Sequence, residues 1–287
     1  MASTSVALCT YNGERFLSQQ LASLAAQNVL PDELVVCDDA STDASMRVVE
    51  DFAKDAPFSV RLFRNPKNLG YIKNFEQAIG LCSNEIIFLC DQDDVWEKKK
   101  IESVLKIFDT EEAVGMVLHG FQKIDSYGAP YIEPEEKFGV KKLSVNQLDE
   151  AFRSSSIEVF LVPSSRAWCG CMTAFRQKFN KNIIPIYPGK GHDDWILKVI
   201  APLSEVRFLS EQLIRYRIHE GNNNSHEVGR KTLTHFLGRL LRRIDALLKG
   251  YSKRNFYRLL IQRINQSGLR LQHPELIDLY KKYIKFF

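Results

Sequence analysis

The stretch FLCDQDDVW, Phe88–Trp96, leaves an apolar run, passes three carboxylates in four residues (Asp91, Asp93, Asp94) and closes on a tryptophan. A short apolar run that ends in acids is what a buried parallel strand gives when its carboxyl end opens onto a ligand crevice. The pattern repeats upstream. LVVCDD (Leu34–Asp39) ends on Asp38 and Asp39, and SVALCT (Ser5–Thr10) runs into Tyr11 and Asn12. SVRLF (Ser59–Phe63) reads as another strand. Between the strands lie helical periodicities: Glu14–Ala26, a segment carrying Met46, Val49 and Phe52 that Thr42 or Asp43 would cap, and Ile72–Cys82. Strands alternating with helices predict an α/β fold, a mostly parallel sheet covered by helices, with its polar tips on one rim.

Farther along, Lys98–Asp109 reads as a helix and Val114–His119 as a strand. Asp125–Lys142 reads as an irregular loop, Trp168–Phe175 as a strand and Asp193–Ala201 as a helix. Val206–Leu209 and Leu213–Tyr216 read as two short strands, and the chain turns helical from Thr232. With 45% hydrophobic and 26% charged residues, the 287-residue chain has the make-up of a soluble globular protein. No apolar segment reaches membrane-spanning length, and the start, MASTSVALCTYNGE, lacks a basic, apolar leader, so a cytoplasmic protein is expected. Cys9, Cys37, Cys82 and Cys90 lie in or beside apolar segments as small buried hydrophobes, and Cys169-Gly170-Cys171 has no second pair to make a zinc site.

Carboxylates gathered on one rim raise one another's pKa unless a cation is present, and an oxygen-rich set suits Mg²⁺ or Mn²⁺. Neither G-x-G-x-x-G nor G-x-x-x-x-G-K-[ST] occurs, which argues against a dinucleotide dehydrogenase and a P-loop enzyme. A nucleotidyltransferase would bring a basic, glycine-rich loop where ALCTYNGERF stands.

ALCTYNGERFLSQQLASLAAQ followed by ELVVCDDASTDAS resembles the opening of the family 2 glycosyltransferases, which have the GT-A fold. NLGYIKNFEQAI, FLCDQDDVWEKKK, GHDDW (Gly191–Trp195) and LIRYRIHEGNNNS (Leu213–Ser225) resemble the rhamnosyltransferase-like subgroup, so the similarity covers roughly Ser5 to Ser225. It implies a Rossmann-like mixed sheet flanked by helices in a GT-A catalytic domain, residues 1–228. Residues 1–100 would be the nucleotide-binding half, 101–228 the acceptor half and 229–287 a C-terminal helical extension.

The resemblance also implies a nucleoside-diphosphate sugar donor, Mn²⁺ or Mg²⁺, and inversion at the anomeric carbon. Thr10, Tyr11 and Glu14 would line the nucleoside pocket. Asp39, supported by Asp38, would accept the N3–H of a pyrimidine. Asp91 would reach the ribose side or the metal, Asp93 would bind the metal, and His219 would be a third ligand or a diphosphate contact. Lys73 would face the phosphates or stand in solvent. The base would be Asp193, with Asp194 the alternative, while one of them caps the following helix. Trp96 and Trp195 would pack in the core or on sugar rings. The subgroup suggests dTDP-L-rhamnose as donor, UDP-hexoses next, and a cell-surface glycan or its lipid-linked precursor as acceptor. A non-catalytic nucleotide-sugar-binding module is the reading from another class.

The net charge of +4 divides into +11 over residues 230–287 and −7 over the remainder. Leu233, Phe236, Leu237, Leu240, Leu241, Ile244, Leu247 and Leu248 form one helical stripe with basic residues beside it, continued by Phe256, Leu260 and Ile264. That suits peripheral contact with anionic lipid at the inner face of the plasma membrane, or a lid docked on the catalytic domain. No recognition motif for nucleic acid accompanies the charge.

Overall fold

The computed structural model describes residues 1–131, 169–188, 191–222 and 253–286. Its strands are β1 (Thr4–Thr10), β2 (Glu33–Asp38), β3 (Ser59–Arg64), β4 (Ile86–Asp91), β5 (Val95–Trp96), β6 (Val114–Ile124), β7 (Thr173–Arg176) and β8 (Glu205–Arg217). They form one eight-stranded sheet in the order β3-β2-β1-β4-β7-β6-β8-β5. β3, β2, β1 and β4 are parallel, β7 runs antiparallel to β4 and β6, β8 is parallel to β6, and β5 is antiparallel to β8. The helices are α1 (Glu14–Ala25), α2 (Ser45–Lys54), α3 (Tyr71–Leu81), α4 (Lys100–Thr110), α5 (Asn180–Ile183), α6 (His192–Ile200), α7 (Lys253–Gln266) and α8 (Pro274–Phe286). The expected mixed, mostly parallel sheet with flanking helices and a helical C-terminus is what the chain forms.

β1 and β2 are buried along their whole length, and β4 along all but its last residue. Strands sandwiched between helix layers must be apolar on both faces, hence their unbroken hydrophobic runs. The chain leaves β1 toward β2 and β3 and then returns to pair β4 on β1's other side. The reversal places a switch point, where α/β sheets open a crevice, at the carboxyl ends of β1 and β4. Register brings Thr10 beside Asp38, and Cys9 beside Asp91.

Three local expectations are corrected. Ala44, not Thr42 or Asp43, is the N-cap of α2. Asp43 stands one residue earlier, because its carboxylate serves two helix starts: it accepts the Ser45 N–H at 3.0 Å and the Glu14 N–H at 3.0 Å. Val206–Leu209 and Leu213–Tyr216 are one strand, β8, interrupted by a bulge opposite Gly120. A Cβ at Gly120 would stand 2.9 Å from the Glu211 carbonyl oxygen, so glycine lets the bulge close on β6. Of the strand expected over Trp168–Phe175, Gly170–Met172 is a 3₁₀ turn and only Thr173–Arg176 is extended; Trp168 lies outside the described residues. The loop expected over Asp125–Lys142 opens with a turn in which Gly128 N–H bonds the Asp125 carbonyl at 3.1 Å, and its part beyond Tyr131 is likewise outside.

The two C-terminal helices pack on the sheet domain. Phe256 meets Trp195 of α6 edge-on at 5.6 Å, and Phe256, Leu260, Ile264 and Tyr280 are fully buried. These three α7 residues are therefore not a lipid-facing stripe, since the body of the protein already covers them. The stripe Leu233–Leu248 lies outside the described residues. Among the described residues, no helix is long and apolar enough to cross a membrane.

A buried amide chain fixes α3 to the end of β2. Asn74 donates to the Cys37 carbonyl at 2.8 Å, and Asn65 donates to Asn74 at 3.0 Å and to Asp39 at 2.8 Å. Asn74→Ala leaves a buried carbonyl without its partner. The expected cost is about 2 kcal/mol, read as a lower urea midpoint with an unchanged m-value.

Candidate active site

Two loops are laced together where β1 and β2 end. Asn12 N–H bonds Ser41 Oγ at 2.9 Å, Thr42 N–H bonds Asn12 Oδ1 at 2.9 Å, and Gly13 N–H bonds Ser45 Oγ at 2.8 Å. Asn12 and Ala40 both hold left-handed backbone, φ 48° and 63°, which the lacing must maintain against steric cost. Gln92, between the acids of the β4 exit, reaches back to this pair. Its Oε1 accepts from Thr10 Oγ1 at 2.7 Å and the Tyr11 N–H at 2.8 Å, and its Nε2 donates to the Tyr11 carbonyl at 3.2 Å. A Cβ on Gly13 would sit 2.2 Å from Gln92 Oε1, so only glycine admits that contact.

Of the residues expected on the nucleoside side, Thr10 is buried while Tyr11 is exposed at the rim. Glu14 accepts the Ala44 N–H at 2.8 Å and thereby ties α1 to α2. Asp39 is buried and accepts from Asn65 and the Leu69 N–H on Oδ1, and from the Gly70 N–H at 2.8 Å on Oδ2. Asp38 accepts the Ser41 N–H on Oδ1, which lies 3.7 Å from Arg64 Nε, while its buried Oδ2 has no partner. Lys73 forms an exposed ion pair with Glu76 at 2.7 Å, so its charge is already compensated within α3.

At the β4 exit the chain brings distant acids together. His219 Nε2 lies 2.8 Å from Asp93 Oδ2, across 126 positions of sequence. Burial, then the charges of Asp93 and Asp193, pushes the Asp91 carboxyl up to about 7. Asp94 is completely buried, and burial followed by Asp93 and Asp91 raises it strongly. Asp193, at the start of α6, accepts the Asp194 N–H at 2.8 Å, whereas Asp194 forms a buried ion pair with Lys198 one turn on. Trp96 and Trp195 are core residues, the first of the two expected placements.

Arg217 and Lys100, which sequence reasoning did not single out, contain this charge. Arg217 is 1% exposed. Its backbone N–H donates to Asp94 Oδ1 at 3.0 Å, its Nε to the Asp93 carbonyl at 2.8 Å, and its guanidinium bonds Gln19 and lies 4.7 Å from the Phe16 ring centre. Lys100 is buried with Nζ 3.5 Å from the Trp96 ring centre and bonded to the Cys171 carbonyl at 2.7 Å; burial lowers it to about 8. One lies in a strand and the other in a lysine run that reads as solvated, so only an unusual density of acids nearby hinted at buried countercharges. All six cysteines are free thiols, and all but the half-buried Cys169 are buried.

The donor set fits a small divalent cation. Asp93 and His219 stand at the separation expected of neighbouring ligands on an ion bound at about 2.1 Å, and Asp91, raised by burial first and then by Asp93 and Asp193, adds acidic charge that a cation would offset. Asp91, Asp94 and Cys171 also bring ligand atoms within 4.8 Å of one another. Cys171 is a soft ligand and Asp94 already accepts from Arg217, so the harder pair Asp93 and His219 suits Mn²⁺ or Mg²⁺ better, while Asp91 converges with Asp94 and Cys171 and not with that pair. A separate hollow between α1 and β5, lined by Gln19, Trp96, Lys98 and Arg215, holds none of the candidate catalytic, nucleotide-binding or metal residues.

The family model for glycosyl transferase family 2 matches residues 5–183. An uncharacterized glycosyltransferase of Nostoc sp. is 30% identical over 227 residues, 77% of this chain and 66% of that protein. The dTDP-rhamnosyl transferase RfbG of Shigella flexneri is 31% identical over 102 residues, 34% of this chain and 35% of that protein. Several curated relatives are matched over only 58–66% of their own length. In structure, S. aureus TarS in complex with UDP-GlcNAc superposes with a TM-score of 0.62 at 18% identity, covering 97% of this chain and 71% of that one. The mannosyltransferase PcManGT from Pyrobaculum calidifontis, in complex with GDP-Man and Mn²⁺, gives 0.53 at 17% identity, covering 99% and 70%. At these identities the two structures establish the shared fold.

Because Asp91 holds its proton more tightly folded than unfolded, its contribution to stability is present at low pH and is lost as pH rises through about 7. Asp91→Asn removes that penalty. The metal-free variant should be more stable than the parent at about pH 8 by on the order of 2 kcal/mol, allowing for partial exposure. The gain should shrink steadily toward about pH 4. Thermal melts across that range check it.

Proposed function

The chain belongs to glycosyl transferase family 2, and from that premise we propose that it transfers a sugar, with inversion, from a nucleoside-diphosphate donor to a hydroxyl of a glycan or its lipid-linked precursor. The observation that carries the proposal is the meeting of Asp93 and His219 beside Asp91, whose proton affinity also registers Asp193, at the switch point of the sheet. A non-catalytic module has little use for three mutually repelling carboxylates, Asp91, Asp93 and Asp193, because their assembly costs stability.

In this reading Thr10 and Tyr11 face the nucleoside, with Asp39 using the free lone pair of Oδ2 for the base N3–H. Its bonds to the Leu69 and Gly70 N–H groups fix the carboxylate in place. Asp93 and His219 would hold Mn²⁺ or Mg²⁺, with Asp91 adding acidic charge beside them. When bound, the cation supplies Lewis-acid stabilisation of the charge growing on the departing diphosphate. Asp193 takes the proton of the acceptor hydroxyl as its oxygen attacks the anomeric carbon from the face opposite the leaving group. The base is Asp193 and not Asp194, since Asp194 is committed to Lys198 while the charge of Asp193 reaches Asp91 and Tyr71. The donor we favour is dTDP-L-rhamnose, on the motif resemblance and the similarity to RfbG; a UDP-sugar, the ligand class in TarS, is second.

Release of nucleoside diphosphate from a panel of nucleotide sugars with Mn²⁺ tests the assignment. Asp93→Ala and Asp193→Ala should each lower turnover by roughly 10²–10⁴-fold, with nucleotide-sugar binding retained in Asp193→Ala. Unchanged turnover in both variants would refute it. We further propose peripheral attachment to the inner face of the membrane through the basic stripe Leu233–Leu248. The full chain should co-sediment with anionic liposomes at low salt and be released at high salt; a chain that stays in the supernatant at low salt contradicts the attachment.

A further inference from the structure

We propose that Tyr71 is the acceptor platform, the aromatic face on which a pyranose ring of the acceptor stacks while one of its hydroxyls reaches Asp193. The inference rests on the glycosyltransferase reading and adds to it the substrate class and contact residue of the acceptor side.

Tyr71 opens α3 immediately after Gly70, whose positive φ of 83° turns the chain from the Asp39 loop into the helix. Gly70 N–H holds Asp39, so Tyr71 is one residue removed from a donor-side contact. Its ring also meets His192, the neighbour of Asp193, edge-on at 5.9 Å. The tyrosine thus stands between the donor-side loop and the base, where an acceptor must lie for its oxygen to face both the anomeric carbon and Asp193.

The ring rests against a packed neighbour and is otherwise open to solvent. His192 is buried and stacks on Phe75 at 4.1 Å, with neither ring nitrogen bonded to a partner. Burial keeps it below its ordinary pKa, so it meets Tyr71 as a neutral ring, edge-on. A Cβ at Gly170 would lie 2.4 Å from His192 Nε2, so the imidazole is also confined from its other side. Yet Tyr71 remains 45% exposed. An aromatic ring seated edge-on against a packed stack, with the rest of its surface in solvent, offers apolar area at modest cost in side-chain freedom. A pyranose presents a matching apolar patch of axial C–H groups, and its equatorial hydroxyls project toward polar neighbours such as Asp193. The other exposed tyrosines among the described residues are placed differently. Tyr11 lies at the donor loop, and Tyr127 projects 90% exposed from a turn.

The test uses the full chain with Mn²⁺, the nucleotide sugar it hydrolyses fastest, and a panel of aryl pyranosides as acceptors. Tyr71→Ala should raise the acceptor KM by about tenfold and leave acceptor-independent donor hydrolysis unchanged. Tyr71→Phe and Tyr71→Trp, which keep the ring, should restore a KM close to the parent's, and Tyr127→Ala should change neither. Equal acceptor KM in Tyr71→Ala and the parent overturns the platform. Failure of Tyr71→Phe to restore it shows that the hydroxyl acts and overturns stacking. Donor hydrolysis that no pyranoside converts to transfer counts against the pyranose class. If the parent chain releases nucleoside diphosphate from no nucleotide sugar, the glycosyltransferase reading itself fails, a result separate from the other three.

Discussion

Repulsion among carboxylates at the end of β4 is the constraint around which the neighbouring chain is organised. Asp91 and Asp94 are both pushed toward their protonated forms, first by burial and then by acidic neighbours. A fold that merely tolerated acids there would turn them outward into water. Here Asp94 is completely enclosed, and Arg217 comes from β8 to bond both its carboxylate and the Asp93 carbonyl. Lys100 adds a second buried cation beside Trp96. Removing either partner would leave charge without compensation in a region of low dielectric, which is far costlier than the pair is stabilising. The countercharges leave Asp91 and Asp93 near the rim and keep Asp94 behind them as support.

The same economy joins the two halves of the site. Gln92 has acids on both sides, but its amide bonds Thr10 and Tyr11, so the tip of β1 cannot move without the β4 exit. Asp39 is linked through Asn65 and Asn74 to β2 and α3, and through Gly70 to Tyr71. Loops carry function where a rigid scaffold positions them. In this molecule the scaffolding is largely made of side-chain amides and carboxylates bonding backbone N–H groups, which suits loops that must leave their outer faces free for a ligand.

The parallel half of the sheet was legible because burial on both faces leaves an unbroken apolar run, and β1, β2 and β4 have no polar interruption. The acids at their ends were legible for the complementary reason: nothing in the pairing of a buried strand calls for Asp38-Asp39 or Asp91-Gln92-Asp93-Asp94 at its exit. Where one backbone element is bent by another, sequence was a poorer guide. β8 looks like two strands because its bulge depends on Gly120, nearly a hundred positions earlier. The 3₁₀ turn at Gly170 is tied to His192, which occupies the space a Cβ would need. Arg217 was illegible because an arginine in a strand declares nothing about the carbonyls it will find, and Glu14 because its partner, the Ala44 N–H, is a backbone group.

The pair Asp193-Asp194 shows how the secondary structure divides labour between identical side chains. Successive residues on a helix point about 100° apart, so two adjacent carboxylates cannot face the same crevice. Asp194 meets Lys198 at i+4, on the side of α6 that the C-terminal helices cover, where Tyr257 and Tyr280 are raised by burial first and by its charge to a lesser degree. Asp193 is left on the other side, with the stacked ring of His192 next to it. Trp195 then fixes the rotation of the helix: its indole N–H donates to the Ile183 carbonyl at 2.7 Å and its ring packs against Phe256 of α7. The docked tail therefore has a physical consequence at the crevice, because the face it buries on α6 determines which aspartate is left to meet the acidic cluster.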